Sequence, residues 1–138
     1  MQSCKIILEL YTISLYCYVI QYLYNEFNTT ININKQFSNG NTALTLAAQN
    51  KNVEIIQFLC TAFKNTIDIN TRNDDGDTAF IVAVRQSNIE VVQYLYNTFK
   101  NKINVNYQNA YGETALMIAA CQNTNATTIQ YLCDTFKD

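Results

Sequence analysis

A repeat with a period of 36 residues is the feature that most constrains how this chain can fold. The three glycines of the sequence, Gly40, Gly76 and Gly112, are spaced 36 residues apart. Each is followed by one residue and then by Thr-Ala-Leu or Thr-Ala-Phe, and further on by a second apolar segment containing Gln-Phe-Leu or Gln-Tyr-Leu. A regular period of this size indicates stacked supersecondary units, none of which can bury its apolar face alone. We therefore expect the 138 residues to share one continuous core.

Each unit has the pattern of two helices and a turn. The threonine after the glycine is a good N-cap, and the alanine-rich segment behind it predicts a short helix with one small-residue face. A polar break follows. The next apolar residues recur at helical spacing, which predicts a second helix starting near Val53, Ile89 or Thr127. The extended segment that closes the unit predicts a turn or short hairpin with the glycine at its bend.

The composition excludes several classes of function. The chain carries nine basic and eleven acidic residues, so it has no basic field that would attract nucleic acid. Histidine is absent, which excludes His-based catalysis and His metal ligands. The five cysteines form no C-x-x-C motif, so we expect reduced thiols in a cytoplasmic protein, with no metal site and no cofactor.

The repeated segment resembles the ankyrin repeat, whose hallmark is Gly-x-Thr-Pro-Leu-His-x-Ala-Ala. The glycine, threonine, leucine and alanine positions match, whereas alanine replaces the proline, and Thr45, Ile81 and Met117 replace the histidine. The period is 36 residues instead of the usual number of about 33, and the extra residues fall near 63–68 and 99–104. The resemblance implies an all-α fold, an ankyrin-type helix-turn-helix repeat solenoid with short hairpin loops between repeats.

The repeat register predicts a single domain over residues 1–138. Residues 1–36 form a degenerate N-terminal repeat, because their second half aligns with the later units while their first half lacks the glycine motif. Full repeats are expected at 37–72 and 73–108, followed by a C-terminal repeat at 109–138.

The resemblance also implies a function: a non-catalytic scaffold that binds another protein through its concave face. In this family, partner contacts come from the hairpin tips and the exposed side of the first helices. Ile81, Arg85 and Tyr111 are expected to be exposed and to have the chemistry of interface anchors. The partner-binding positions carried over in this way are Asn39, Asn41, Thr45, Gln49, Asp75, Asp77, Ile81, Arg85, Tyr111, Glu113, Met117 and Cys121.

Other interpretations stay open. Residues 6–24 are mostly apolar and nearly long enough to cross a membrane, so a membrane-tethered interaction module is one alternative, although the internal Glu9 disfavours it. A regulatory fragment of a larger enzyme is another. Self-association could use the aromatic N-terminal helix or the open C-terminal end of the stack. The segment Asp74–Asp77 lacks the ligand spacing and terminal glutamate of a calcium loop, so we expect a hairpin turn there, in which Asn73 or Asp74 bonds nearby backbone.

Overall fold

The computed structural model of the chain describes residues 31–122 and 126–137. The chain divides into two compact units, residues 1–32 and residues 33–138, and the fold described below is that of the second. The possible membrane-tethering segment 6–24 and most of the degenerate first repeat lie outside the described residues. Within the described ranges, no helix is long and apolar enough to cross a membrane.

Pairs of short helices make up the described part of the chain. A 3₁₀ turn at Ser38–Gly40 precedes the first pair, and a loop separates each pair from the next. Residues 31–122 and 126–137 contain no strand, so the all-α prediction is confirmed. The α-helices in this part are α1 (Ala43–Gln49), α2 (Val53–Ala62), α3 (Ala79–Arg85), α4 (Ile89–Phe99), α5 (Ala115–Cys121) and α6 (Ala126–Thr135).

Side-chain caps fix the starts of the helices, as the sequence pattern predicts. The Oγ1 atoms of Thr42, Thr78 and Thr114 accept hydrogen bonds from backbone N–H groups in the first turns of α1, α3 and α5. Asn52 and Asn88 cap α2 and α4 in the same way. A side-chain acceptor satisfies one of the otherwise unpaired N–H groups at a helix start, which stabilises the helix by about 1 kcal/mol.

In the first two helix pairs, the turn between the helices contains a left-handed residue. Lys51 has φ 58° and Ser87 has φ 54°, the region that glycine adopts most readily. Their N–H groups donate to the carbonyl oxygens of Ala48 (3.2 Å) and Val84 (2.9 Å), which closes each turn. This chain therefore uses ordinary residues where ankyrin-type units usually have glycine, and each position carries backbone strain.

The helices stack in two layers. The first helices pack in the order α1, α3, α5, and the second helices in the order α2, α4, α6. Fully buried Ala48 and Ala83 let the first helices approach closely, while Ile56, Val92 and Leu132 fill the layer of second helices and are 0% exposed. Buried residues of both layers thus join from unit to unit, which is how one continuous core forms from short units.

Candidate functional site

We number the described helix pairs, each with the loop before it, as the first (α1 and α2), second (α3 and α4) and third (α5 and α6) units, and we call the glycine turn of that loop the tip. A half-buried and a buried asparagine build the tips of the second and third units. The Oδ1 atom of Asn73 accepts hydrogen bonds from the N–H groups of Asp75 (3.1 Å) and Asp77 (2.9 Å). The Oδ1 atom of Asn109 does the same for Tyr111 (3.0 Å) and Glu113 (2.9 Å). An asparagine side chain that bonds the backbone two and four residues later folds the loop into a tight turn. The tips are therefore fixed in shape by local bonds.

Backbone hydrogen bonds join successive tips into a row. The N–H of Asp74 donates to the carbonyl oxygen of Asn39 (2.9 Å), and the N–H of Ala110 donates to that of Asp75 (3.0 Å). The contact is close: a Cβ atom on Gly76 would lie 2.5 Å from the backbone nitrogen of Ala110. The loop of one unit thus positions the loop of the next.

A charged network lies behind the tips, between the second and third units. The guanidinium of Arg85 donates to both carboxylate oxygens of Asp77 (3.0 and 3.2 Å) and to Glu113 (3.4 Å). The Nδ2 atom of Asn109 donates to Asp77 and Glu113, both at 2.9 Å. Bidentate bonds from arginine to a carboxylate are among the stronger hydrogen bonds in proteins. The network therefore joins two units through one buried carboxylate.

The pKa values of the network follow from these contacts. Burial by itself lowers the pKa of Arg85, but the charge and hydrogen bonds of Asp77, followed by those of Glu113, raise it above its ordinary value. The hydrogen bond from Asn109 and then the contact with Arg85 hold the pKa of Glu113 below its ordinary value. Arg85 and Glu113 are therefore both charged at neutral pH and paired with each other.

A polar cleft of about 190 Å³ lies between the tips and the first helices of the first two described units. Carboxamide side chains dominate its lining, with Arg85 and two aspartates beside them. The cleft brings together side chains from the tips and from α1 and α3. Its lining residues are Asn39, Asn41, Gln49, Asn73, Asp75, Asp77, Val82, Arg85 and Gln86. Six of the residues predicted from the sequence are among them.

Three of the predicted site residues are not on an exposed surface. The expectation of exposure is wrong for Thr45, Asp77 and Ile81, which are 1%, 3% and 2% exposed. Ile81 belongs to α3, which α1 and α5 contact on either side. The hydroxyl of Thr45 donates to the carbonyl oxygen of Thr42 (2.9 Å) in the helix cap. These side chains support the stack and are not available to a partner.

The remaining predicted residues reach the surface to different degrees. Tyr111 is 70% exposed, and its hydroxyl donates to Asp75 (2.9 Å), a bond that raises the pKa of Tyr111. Met117 is 51% exposed. The exposed members are Asn39, Gln49, Asp75, Tyr111, Met117 and Cys121, and the half-buried ones are Asn41, Arg85 and Glu113.

The sequence analysis missed Asn109, and it also missed Gln86, which lines the cleft. It anticipated a turn-forming role for Asn73, but not that a second asparagine, 36 residues later, would also donate to the charged network. That spacing is visible in the sequence and could have indicated a shared role. Gln86 sits in the polar break that the sequence assigns to a turn, and no signal in the sequence distinguishes it from its neighbours.

No described part of the site has the composition of a metal centre. Within residues 31–122 and 126–137, no group of three or more cysteine, aspartate or glutamate side chains is placed to hold an ion. Of the aspartates in the second tip, Asp77 accepts from Arg85 in the charged network and Asp75 accepts from the hydroxyl of Tyr111. The site can therefore offer amide hydrogen bonds, one arginine, carboxylates and an exposed tyrosine ring.

Comparison with known families identifies the repeat. A model of ankyrin repeats matches residues 12–106, with three copies. A search of curated proteins gives no match. The match covers more than half of the chain, and the paired helices, threonine caps and bonded tip loops agree with it. The chain belongs to the ankyrin repeat family.

Proposed function

We propose that this protein binds a partner protein through its tip surface, which we define as Asn39, Asn41, Gln49, Asp75, Arg85 and Tyr111. Ankyrin repeats are in general protein–protein interaction modules. The observation that carries the proposal is that tip and first-helix side chains of successive units line one cleft, beside a row of tips joined by backbone bonds. Glu113, Met117 and Cys121 extend this surface along the third unit.

Rigidity supports this proposal. Asn73 and Asn109 fold the tips, and the bonds between tips fix their spacing. Binding to a surface that is already ordered avoids part of the entropy lost when loops become fixed on association. Tyr111 adds a large exposed ring that its bond to Asp75 holds in place, and tyrosine is frequent among residues that dominate binding energy.

The charge of the tip surface favours a basic segment in the partner. Asp74 and Asp75 are exposed at the second tip, while Arg85 is neutralised by Asp77. The carboxamides of the cleft offer both donors and acceptors, which suits the backbone of an extended peptide. We therefore propose a partner segment with a lysine or arginine next to an extended stretch.

Two further statements belong to the proposal. The helix pairs fall within residues 37–72, 73–108 and 109–138, and we assign one repeat to each range. We also propose that the protein is a non-catalytic scaffold. We place it in the cytoplasm, because Cys60, Cys121 and Cys133 are free thiols and thiols stay reduced in that compartment.

The experiment is an affinity capture from the source cell with a variant that carries Asp75→Lys and Tyr111→Ala. Both side chains are exposed, so the fold should survive, and circular dichroism with urea unfolding checks this. Substitution of Ile81 or Arg85 is avoided, because a charged residue at position 81 would be buried and the loss of Arg85 would remove the ion-pair partner of Asp77.

The matched control carries Glu90→Lys and Tyr94→Ala, the same kinds of change on the outer helix α4. We expect the native chain and the control to capture the same protein, and the tip variant to lose it. Equal capture by the tip variant and the control would show that the tip surface is not the binding site.

A further inference from the structure

A second cavity lies between the loops that lead into the tips of the second and third units. Its volume is about 220 Å³, and it shares no residue with the tip surface. The loops of two successive units and the starts of α3 and α5 enclose it. Its lining residues are Asn70, Arg72, Thr78, Phe80, Ile81, Lys102, Ile103, Asn104, Val105, Tyr107 and Ala115. We call this the side cavity.

The charged residues that line the side cavity are all positive. Arg72 and Lys102 line it, both are exposed, and no carboxylate is among the lining residues. Neither cation forms an ion pair with any residue of 31–122 or 126–137. Two unpaired cations beside a low-dielectric wall create a local positive potential, which concentrates anions. The side cavity therefore differs from the acidic tips of the same protein.

The side chain of Arg72 and the loop that carries Lys102 are held by their surroundings. The Cζ atom of Arg72 lies 4.4 Å from the ring centroid of Tyr107, and the hydroxyl of Tyr107 donates to the carbonyl oxygen of Gly76 (2.9 Å). The Nδ2 atom of Asn70 donates to the carbonyl oxygen of Lys102 (3.0 Å). The loops that carry the charges are thus tied to each other and to the neighbouring tip, so little ordering is needed before an anion binds.

The inner side of the cavity is apolar, and two amide side chains, Asn70 and Asn104, are among the polar residues of the lining. Phe80, Ile81 and Ala115 are 3%, 2% and 2% exposed, and they close the inner side. The Oδ1 atom of Asn104 accepts a hydrogen bond from the backbone N–H of Asn106 (3.0 Å). This turn therefore uses the oxygen of the amide and not its Nδ2 donor. The side cavity combines an apolar wall with cationic and amide donors.

We propose that the side cavity binds a compact organic anion, a carboxylate or phosphate group on a small apolar body. The charge complementarity selects the anionic head, and the wall formed by Phe80, Ile81 and Ala115 selects the apolar body. The volume limits the size: a cavity of about 150 Å³ holds benzene, so 220 Å³ accommodates one ring with an acid group. Pockets for drug-sized ligands are larger, about 300–1,000 Å³.

The test uses phenylacetate as the probe, followed by ¹H–¹⁵N chemical shifts of the full chain. Phenylacetamide has nearly the same shape without the charge, and acetate has the charge without the ring. We expect saturable shifts for the amides of residues 102–107 and Thr78 with phenylacetate. Phenylacetamide and acetate should bind at least about 10-fold more weakly, the loss expected when one charged hydrogen bond or the ring contact is removed.

The matched variants are Arg72→Gln with Lys102→Gln, and Lys51→Gln with Lys64→Gln as the control, which removes the same charge from exposed sites elsewhere. The first pair should weaken phenylacetate binding by about 10-fold or more, and the control should leave it unchanged. Arg72→Lys should keep most of the affinity. Equal binding of phenylacetamide, non-saturable shifts, or equal loss in the control pair would overturn the proposal.

Discussion

Asp77 connects the loop of the second unit with the first helix of the same unit, α3, and with the loop of the third unit. Its carboxylate accepts hydrogen bonds from Arg85 and Asn109 and is 3% exposed. Asp75, two residues earlier, is exposed, and its carboxylate accepts a hydrogen bond from the hydroxyl of Tyr111. Two aspartates in one short loop thus have different roles, one structural and one available to a partner.

We expect Asp77→Ala to lower the free energy of unfolding by about 2–4 kcal/mol, because it leaves Arg85 and Asn109 without their buried acceptor. Asp75→Ala removes the same group from an exposed site and should change stability by about 0.5 kcal/mol or less. Urea unfolding of the two variants measures the difference. Equal losses would mean that the charged network does not stabilise the junction.

At Lys51, whose backbone is left-handed, we expect a substitution to stabilise the folded protein instead of destabilising it. A left-handed residue with a Cβ costs about 1–2 kcal/mol, and glycine avoids this strain while losing some entropy on folding. Lys51→Gly should therefore raise the free energy of unfolding by about 0.5–1 kcal/mol. Lys51→Ala is the control, since it removes the charge and keeps the strain, and it should give no gain in the same urea experiment.

Because Cys60 is buried, we expect the stability of the fold to depend on pH in the alkaline range. Burial raises the pKa of its thiol from 9.0 to about 12 in the folded state. The folded state keeps the thiol neutral while the unfolded chain ionises, so this stability is fully present below about pH 9 and falls as pH rises towards 12.

The native chain should therefore lose stability more steeply than Cys60→Ala above about pH 9, by up to roughly 1.4 kcal/mol per pH unit. The measured quantity is the difference between the two urea midpoints at each pH, which cancels the other titrating groups. Parallel pH profiles for the two proteins would show that the thiol ionises without opening the fold.

At the scale of the elements, the sequence predicts where each helix begins more reliably than which face it exposes. Thr78 and Asn88 identify helix starts because capping is a local interaction between residues three apart. The exposure of Ile81 was predicted wrongly because α1 and α5, from other units, contact the helix on which it lies. A pattern within one unit does not contain that information. Six of the nine residues that line the cleft were predicted from their positions in the repeat, whereas Asn73, Val82 and Gln86 were not among the predicted site residues.

Alanine substitutions at two tip glycines can separate the cost of local backbone strain from the cost of a clash with the next tip. Gly76 and Gly112 have φ values of 75° and 77°, so alanine would be strained equally at both. A Cβ at position 76 would lie 2.5 Å from the nitrogen of Ala110, whereas one at 112 would meet nothing within 4 Å.

We expect Gly112→Ala to destabilise by about 1–2 kcal/mol and Gly76→Ala by about 1–3 kcal/mol more. Urea midpoints measure both, and the difference isolates the contact between successive tips. If the two variants lose the same stability, the tips are not in contact as described.

On the scale of the whole molecule, equivalent positions differ in exposure from unit to unit. Leu44 and Phe80 are 2% and 3% exposed, while the corresponding Leu116 is 36% exposed. The first two lie on helices α1 and α3, each of which has a later first helix packed against it, and none of the described residues packs in that way on α5. Burial in this fold is therefore a property of a junction between units more than of a unit.

Both described junctions use the same contacts, and this has a consequence for the length of the stack. Asn34 donates to the carbonyl oxygen of Thr66 between the loops that lead into the first and second tips, and Asn70 donates to that of Lys102 between the loops that lead into the second and third tips. Asn73 and Asn109 donate to Asn41 and Asp77 in the same equivalent manner. The two faces of the middle unit are therefore complementary to each other, so a duplicate of that unit should fit between the originals.

A chain with residues 73–108 duplicated in tandem should unfold at a higher urea concentration, because each added unit contributes one more junction. Its urea dependence should also be steeper, since more surface is exposed on unfolding. A lower midpoint would show that the junctions are not interchangeable. With interchangeable junctions, the length of the rod can be set in steps of 36 residues, which makes the middle unit a building block for spacers of chosen length.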